Sequence, residues 1–118
     1  MSKKVLIADD VAFFRSALRE ILIDEGFDVV GEAVNGEEAV EKAARFRPDI
    51  VILDVVMPMK NGLEAAREIK QLDMPLKIVM CSSLGYESIV ESAMVSGASA
   101  YIIKPFDRAK VLDTINGL

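Results

Sequence analysis

The sequence predicts an α/β fold, a three-layer sandwich in which a five-stranded parallel sheet lies between two layers of helices. Three observations predict it. Five short runs rich in Val, Ile and Leu are each followed by a segment whose apolar residues recur at helical spacing. No linker, internal repeat or low-complexity stretch interrupts the alternation. Short strands alternating with helices form a parallel sheet, and right-handed crossovers then cover both of its faces.

The elements follow in order. Val5-Leu6-Ile7-Ala8 is a β-branched run that ends at Asp9-Asp10 and reads as a strand buried on both faces. From Val11 to Asp24, Phe14, Leu18, Ile21 and Leu22 recur at helical spacing until Glu25-Gly26 stops the pattern. Val29-Val30-Gly31-Glu32-Ala33 is a weaker strand. Asn35 is the candidate cap of a second helix with an inner stripe of Ala39, Val40, Ala43 and Ala44, and Pro48 ends that region. Ile50-Val51-Ile52-Leu53 is the clearest buried strand and ends at Asp54. After a loop with Met57-Pro58 and Asn61-Gly62, Leu63 to Leu72 reads as a helix with Leu63, Ala66 and Ile69 inward. Lys77 to Cys81 is the fourth strand, ending at Ser82-Ser83. Ile89, Val90, Ala93 and Met94 mark a helix closed by Gly97. Ala100 to Ile103 is the fifth strand, ending at Lys104-Pro105, and Val111, Leu112 and Ile115 mark a last helix capped by Asp107. Periodicity leaves the order of the strands open.

Composition narrows the chemistry. The 118 residues fit one domain, residues 1–118, and a hydrophobic content of 52% argues for a packed core rather than disorder. There is no histidine and only one cysteine, Cys81, so His-based general-base catalysis, zinc sites with His or several thiolates, and an internal disulfide all fall away. A net charge of −5 argues against direct nucleic-acid binding. No apolar run reaches the roughly 18 residues of a membrane helix. The N-terminus Met1-Ser2-Lys3-Lys4-Val5 lacks the apolar stretch of a signal peptide, and with a lone cysteine this predicts a reducing, cytoplasmic setting. Cys81 reads as a small core residue and the scattered methionines as core and loop filler, with Met57 shaping the loop before Pro58.

In open parallel sheets the functional crevice lies outside the carboxyl ends of the strands. Asp9 and Asp10 stand at the end of the first strand, Asp54 at the third, Ser82 and Ser83 at the fourth and Lys104 at the fifth. Taken singly, each has an ordinary structural role as a cap, a turn residue or a surface charge. Together they bring three acids, a hydroxyl and an ammonium to one edge. Carboxylates held close need a proton or a cation, and an oxygen-only donor set suits Mg²⁺ or Mn²⁺. An Asp beside such an ion is also a nucleophile for phosphorus, giving an acyl phosphate.

Asp9-Asp10, Asp54, Met57-Pro58 with Gly62, Ser82 and Lys104-Pro105-Phe106 form a highly specific set, and on them the chain resembles the receiver domains of two-component response regulators over essentially its whole length. The Val5-to-Asp10 start, Gly31-Glu32-Ala33 and Cys81-Ser82-Ser83 are most similar to the single-domain chemotaxis regulators of the CheY type. The resemblance implies a flavodoxin-like sheet of order 2-1-3-4-5. It implies that Asp54 accepts the phosphoryl group from a histidine kinase. Asp10, Asp54 and the carbonyl of Val56 would ligate Mg²⁺, with Asp9 acting largely through water. Lys104 would pair with Asp54 and then with the phosphoryl group, and Ser82 would donate to it with help from the Ser83 amide. Tyr101 would turn inward as Ser82 moves. The Lys104–Pro105 peptide is expected to be cis. The readout would be the face of the fourth helix, fifth strand and fifth helix, docking an output protein such as a flagellar motor switch component. Val90 and Met94 read either as contacts on that face or as core.

The chain is expected to be a monomer that catalyses its own phosphorylation and slow dephosphorylation. The slow loss follows from apolar Val56 and Leu84 at the two variable positions where family members carry groups that orient water. Three other readings compete: the isolated receiver of a longer DNA-binding regulator, a Mg²⁺-dependent phosphatase with an Asp nucleophile, and a flavin-binding domain. No substrate cap is visible for the second, and Asp9-Asp10-Val11-Ala12 replaces the Ser/Thr/Gly-rich phosphate loop of the third.

Overall fold

The structure, a computed structural model, describes residues 2–118. Its elements are β1 (Lys4–Ala8), α1 (Ala12–Asp24), β2 (Asp28–Ala33), α2 (Gly36–Phe46), β3 (Ile50–Leu53), α3 (Gly62–Gln71), β4 (Lys77–Ser82), α4 (Glu87–Val95), β5 (Ala100–Ile103) and α5 (Arg108–Asn116). All strand pairs are parallel and the order is β2-β1-β3-β4-β5. The five β–α units and the flavodoxin-like order stand as expected.

Strand side chains alternate between two cores, as the period of two requires. Leu6, Ala8, Val51, Leu53, Ile78 and Met80 face α2, α3 and α4, where Ala39, Ala43, Ala65, Ala66, Ile69 and Ala93 are buried. Val5, Ile7, Ile50, Ile52, Val79, Cys81 and Ile102 face α1 and α5, packing on Leu18, Leu22, Val111 and Ile115. The central strands are therefore apolar at nearly every position, and the edge strands β2 and β5 are only half-buried.

Helix ends follow local chemistry. Asn35 accepts from the Glu38 amide and Asp107 from the Lys110 amide, as expected of caps. Asn61 does the same for α3, and Glu64 returns the bond to the Asn61 amide, a reciprocal capping box that starts the helix at Gly62 rather than Leu63. Gly97 closes α4 at φ +113, a conformation that L side chains rarely adopt. One face assignment is corrected and one open choice is decided. Ala44 is exposed, because the buried stripe of α2 runs through Ala39 and Ala43 with Val40 beside it. Met94 is 45% exposed and not core, whereas Val90 is half-buried; α4 buries only the Ala93 side of its turn.

Candidate functional site

Sheet register builds the site. Ala8 pairs with Leu53, so the next residues, Asp9 and Asp54, emerge side by side, and the Asp54 amide donates to the Ala8 carbonyl at 2.9 Å. Ser82 pairs with Ile103, so Lys104 follows at the end of β5, its amide bonded to the Ser82 carbonyl at 2.9 Å. The Lys104 side chain then reaches back across the sheet edge. Its Nζ lies 2.6 Å from Asp9 Oδ2 and 3.0 Å from Asp54 Oδ2, and 3.9 Å from the centre of the Phe14 ring. The peptide between Lys104 and Pro105 is cis, as expected.

Burial divides the three acids. Asp9 is 2% exposed and Asp54 is 6% exposed, whereas Asp10 is open to solvent. One carboxylate oxygen from each lies within 4.8 Å of the others. Burial pushes the Asp9 carboxyl above the ordinary carboxylate range, although Lys104 and the Val11 amide pull the other way. Burial alone would lower the Lys104 ammonium, but its bonds to Asp9 and Asp54 outweigh that and hold it above the usual lysine value. Lys104 is thus firmly cationic. Asp9 and Asp54 share one ammonium and Asp10 beside them has none, leaving the cluster of three carboxylates formally at −3 + 1 = −2. Such an excess of negative charge on oxygen donors, one of them facing water, fits a hard divalent cation.

The loops around the acids are held closely. Asp9 Oδ1 accepts from the Val11 amide at 2.9 Å, and Asp54 Oδ1 from the Val56 amide at 3.3 Å. Met57 is buried in the helix-flanked core and anchors the β3–α3 loop, while the Val56 side chain is 56% exposed. Gly62 begins α3 against the end of β3: a Cβ there would stand 1.9 Å from the Asp54 carbonyl oxygen. Only glycine permits that approach.

Ser82 is buried and its Oγ accepts from the Leu84 amide at 3.3 Å, whereas Ser83 is exposed. Tyr101 is half-buried and its hydroxyl donates to the Leu84 carbonyl. Leu84 is therefore gripped at both backbone groups by the two residues expected to switch. Burial raises the Tyr101 phenol above its ordinary pKa and pushes the Cys81 thiol, behind the site on β4, up to about 12. Cys81 is a core residue, as its sequence context implied.

Sequence reasoning missed one contact and two participants. It paired Lys104 with Asp54 and not also with Asp9. It placed Phe14 in the core of α1 and not under the Lys104 ammonium. It passed over Arg15, whose Nη1 donates to the Asp9 carbonyl at 2.8 Å. An arginine among Phe14, Leu18 and the inner face of α1 was the available signal.

Comparison with known proteins decides the family. The model of the response regulator receiver domain family matches residues 5–116. The chain belongs to the response regulator receiver family. This receiver is 45% identical over 116 residues to the chemotaxis protein CheY of Thermotoga maritima, covering 98% of this chain and 97% of that one. Among solved structures it resembles the CheX-CheY-BeF3-Mg complex of Borrelia burgdorferi, with a TM-score of 0.94 and 38% identity over 98% of this chain and 87% of the other. It is also 42% identical to the transcriptional regulatory protein PdtaR of Mycobacterium tuberculosis, of which it spans 55%. The chain is thus a receiver of the two-component type with chemotaxis homologues. Among the described residues no helix of this receiver is long and apolar enough to cross a membrane.

Proposed function

We propose that this receiver, residues 1–118, is a cytoplasmic phosphorylation switch that takes a phosphoryl group on Asp54 from a histidine kinase and passes the signal to an output protein in chemotaxis. The observation that carries the reading is Lys104 lodged between two buried carboxylates, Asp9 and Asp54, with exposed Asp10 alongside. Asp54 Oδ attacks phosphorus, the P–N bond to the kinase imidazole breaks, and an acyl phosphate forms. The chain lacks histidine, so the donor imidazole belongs to the partner.

Asp10, Asp54 and the Val56 carbonyl would hold Mg²⁺, with Asp9 acting largely through water, and Mn²⁺ suits the same oxygens. When bound, the ion neutralises charge on the phosphoryl oxygens. Lys104 supplies the remaining positive charge. It must exchange part of its hold on Asp54 for a phosphoryl oxygen, while Asp9 keeps the ammonium at the edge.

Phosphorylation adds about −1.5 to −2 charge and strong acceptors. Ser82 then turns its hydroxyl to the phosphoryl group, with the Ser83 amide beside it. A hydrogen bond to a charged acceptor contributes about 1.5–3 kcal/mol. That shifts a two-state equilibrium by roughly 10- to 150-fold. Moving from 1:99 to 99:1 takes about 5.5 kcal/mol, so Lys104 and the output partner contribute the rest. The structure supports a route for the signal: when Ser82 turns, the Leu84 amide loses its acceptor, and the loop bonded to Tyr101 moves with it. The α4–β5–α5 face, with Met94 and Ile103 exposed, is then the readout surface for a partner such as a flagellar motor switch component.

A second reading is favoured by the PdtaR relative: the receiver of a longer transcriptional regulator. The length of the intact gene product separates the two. The primary reading is tested by treating the protein with acetyl phosphate and Mg²⁺ and measuring intact mass. Wild type gains one base-labile phosphate and Asp54→Asn gains none; an equal gain by Asp54→Asn overturns the assignment.

A further inference from the structure

Asp10 is the least anchored of the three acids. Its carboxylate makes no hydrogen bond or ion pair among the described residues, so its position rests on the backbone around it. Both flanking peptides are pinned. Val11 N–H, in the peptide after Asp10, donates to Asp9 Oδ1 at 2.9 Å. The Asp9 carbonyl, in the peptide before Asp10, accepts from Arg15 Nη1 at 2.8 Å.

Arg15 is itself fixed. Its side chain is only 17% exposed, and its Nε donates to Glu32 Oε1 at 3.0 Å. Glu32 sits on β2 opposite Ile7 of β1 and also takes Arg19 at 3.3 Å on its other oxygen. The guanidinium is a planar fork whose nitrogens point in set directions, so one anchored edge aims the other. The chain of contacts runs from β2 through Glu32 and Arg15 to the peptide that carries Asp10.

We infer that Arg15 is a positioning residue for the divalent-cation site: by holding the Asp9–Asp10 peptide against β2 it keeps the Asp10 carboxylate beside that of Asp54, where the two would hold a cation. This rests on the reading that these acids hold Mg²⁺. The sign of the effect separates positioning from charge. Arg15 is a cation, so its field alone weakens binding of a second cation, and removing it by Arg15→Gln would tighten binding. A positioning role predicts the reverse.

The experiment titrates wild type, Arg15→Gln and Arg15→Lys with Mn²⁺, following free Mn²⁺ by electron paramagnetic resonance. It also measures phosphate gain from acetyl phosphate over a range of Mg²⁺ concentrations. Loss of the groups that orient metal ligands weakens affinity by roughly tenfold or more. Arg15→Gln is expected to raise the Mn²⁺ dissociation constant and the half-saturating Mg²⁺ by about that factor, with the phosphorylation rate at saturating Mg²⁺ within about twofold of wild type. General loosening of the fold would not produce that split. Arg15→Lys reaches the carbonyl with a single donor and gives up the Glu32 anchor, so it falls between the two, and it carries the test if the Gln variant does not fold. Wild-type binding with equal or tighter binding by both variants overturns this inference alone. A wild type that binds neither ion overturns the reading beneath it as well.

Discussion

Replacing Lys104 with Met probes the centre of the site. Methionine keeps most of the length and still packs over Phe14, but it removes the ammonium shared by Asp9 and Asp54. Breaking a buried ion pair by deleting one partner costs about 3–5 kcal/mol. Asp10 opens one side of the cluster to water, so the lower end, about 3 kcal/mol, applies here. At about 2.1 cal/mol/K per residue, a chain of this length has an unfolding entropy near 0.25 kcal/mol/K, so Lys104→Met melts roughly 12 °C lower than wild type in EDTA. Added Mg²⁺ restores several degrees by lending the carboxylates a counter-charge. The pH dependence has a definite sign. Burial already raises the Asp9 carboxyl, so the folded state binds its proton more tightly than the unfolded chain. That favours folding at low pH and is lost as pH rises through the folded value. Without Lys104 the carboxyl rises further, so the gap between variant and wild type narrows as pH falls from 7 towards 5. Thermal melts by circular dichroism read all three effects. A Lys104→Met variant that melts with wild type in EDTA, or a gap that widens on acidification, refutes the reasoning.

Three further predictions concern the loops and the core. Val56→Asn combined with Leu84→Glu places polar groups beside the acyl phosphate that can orient water, and intact mass over time will show faster loss of phosphate; an unchanged lifetime sinks that explanation. Gly62→Ala drives a Cβ into the Asp54 carbonyl, so phosphate gain falls even at saturating Mg²⁺, whereas Gly26→Ala, where the added carbon meets nothing within 4 Å, leaves it intact despite its backbone strain. Cys81, buried with its thiol raised to about 12, resists an aromatic disulfide reagent at pH 8 in the native protein and reacts at once in denaturant; fast labelling without denaturant contradicts its place in the core.

The fold was legible because its signals agree across levels. Each buried strand is an unbroken apolar run, and each ends at a residue of different character, which marked both the strand ends and the functional edge. Asp9, Asp54, Ser82 and Lys104 were located by that rule alone. Strand order was not legible from period, since every β–α unit looks alike, and it came from family resemblance. Helix faces were read to within about one residue: Ala39 and Ala43 are buried but Ala44 is not, because a stripe of small residues does not reveal its own centre line. The Asn61–Glu64 box was present as a spacing of three and needed only to be read as a cap. The bond from Lys104 to Asp9 was out of reach, since β1 and β5 are separated in the sheet by β3 and β4 and the contact depends on a long side chain reaching back across them. Arg15 was hidden for a similar reason: its partners, the Asp9 carbonyl and Glu32, are contacts of tertiary packing.

The assignment of Asp54 as phosphoacceptor is tested most directly by trapping. The protein is treated with acetyl phosphate and Mg²⁺, reduced with borohydride to convert the acyl phosphate to homoserine, and sequenced by peptide mass spectrometry. Homoserine at position 54, and at neither 9 nor 10, is the predicted result. Homoserine at Asp9 or Asp10, or none at all in protein shown to carry phosphate, would contradict it.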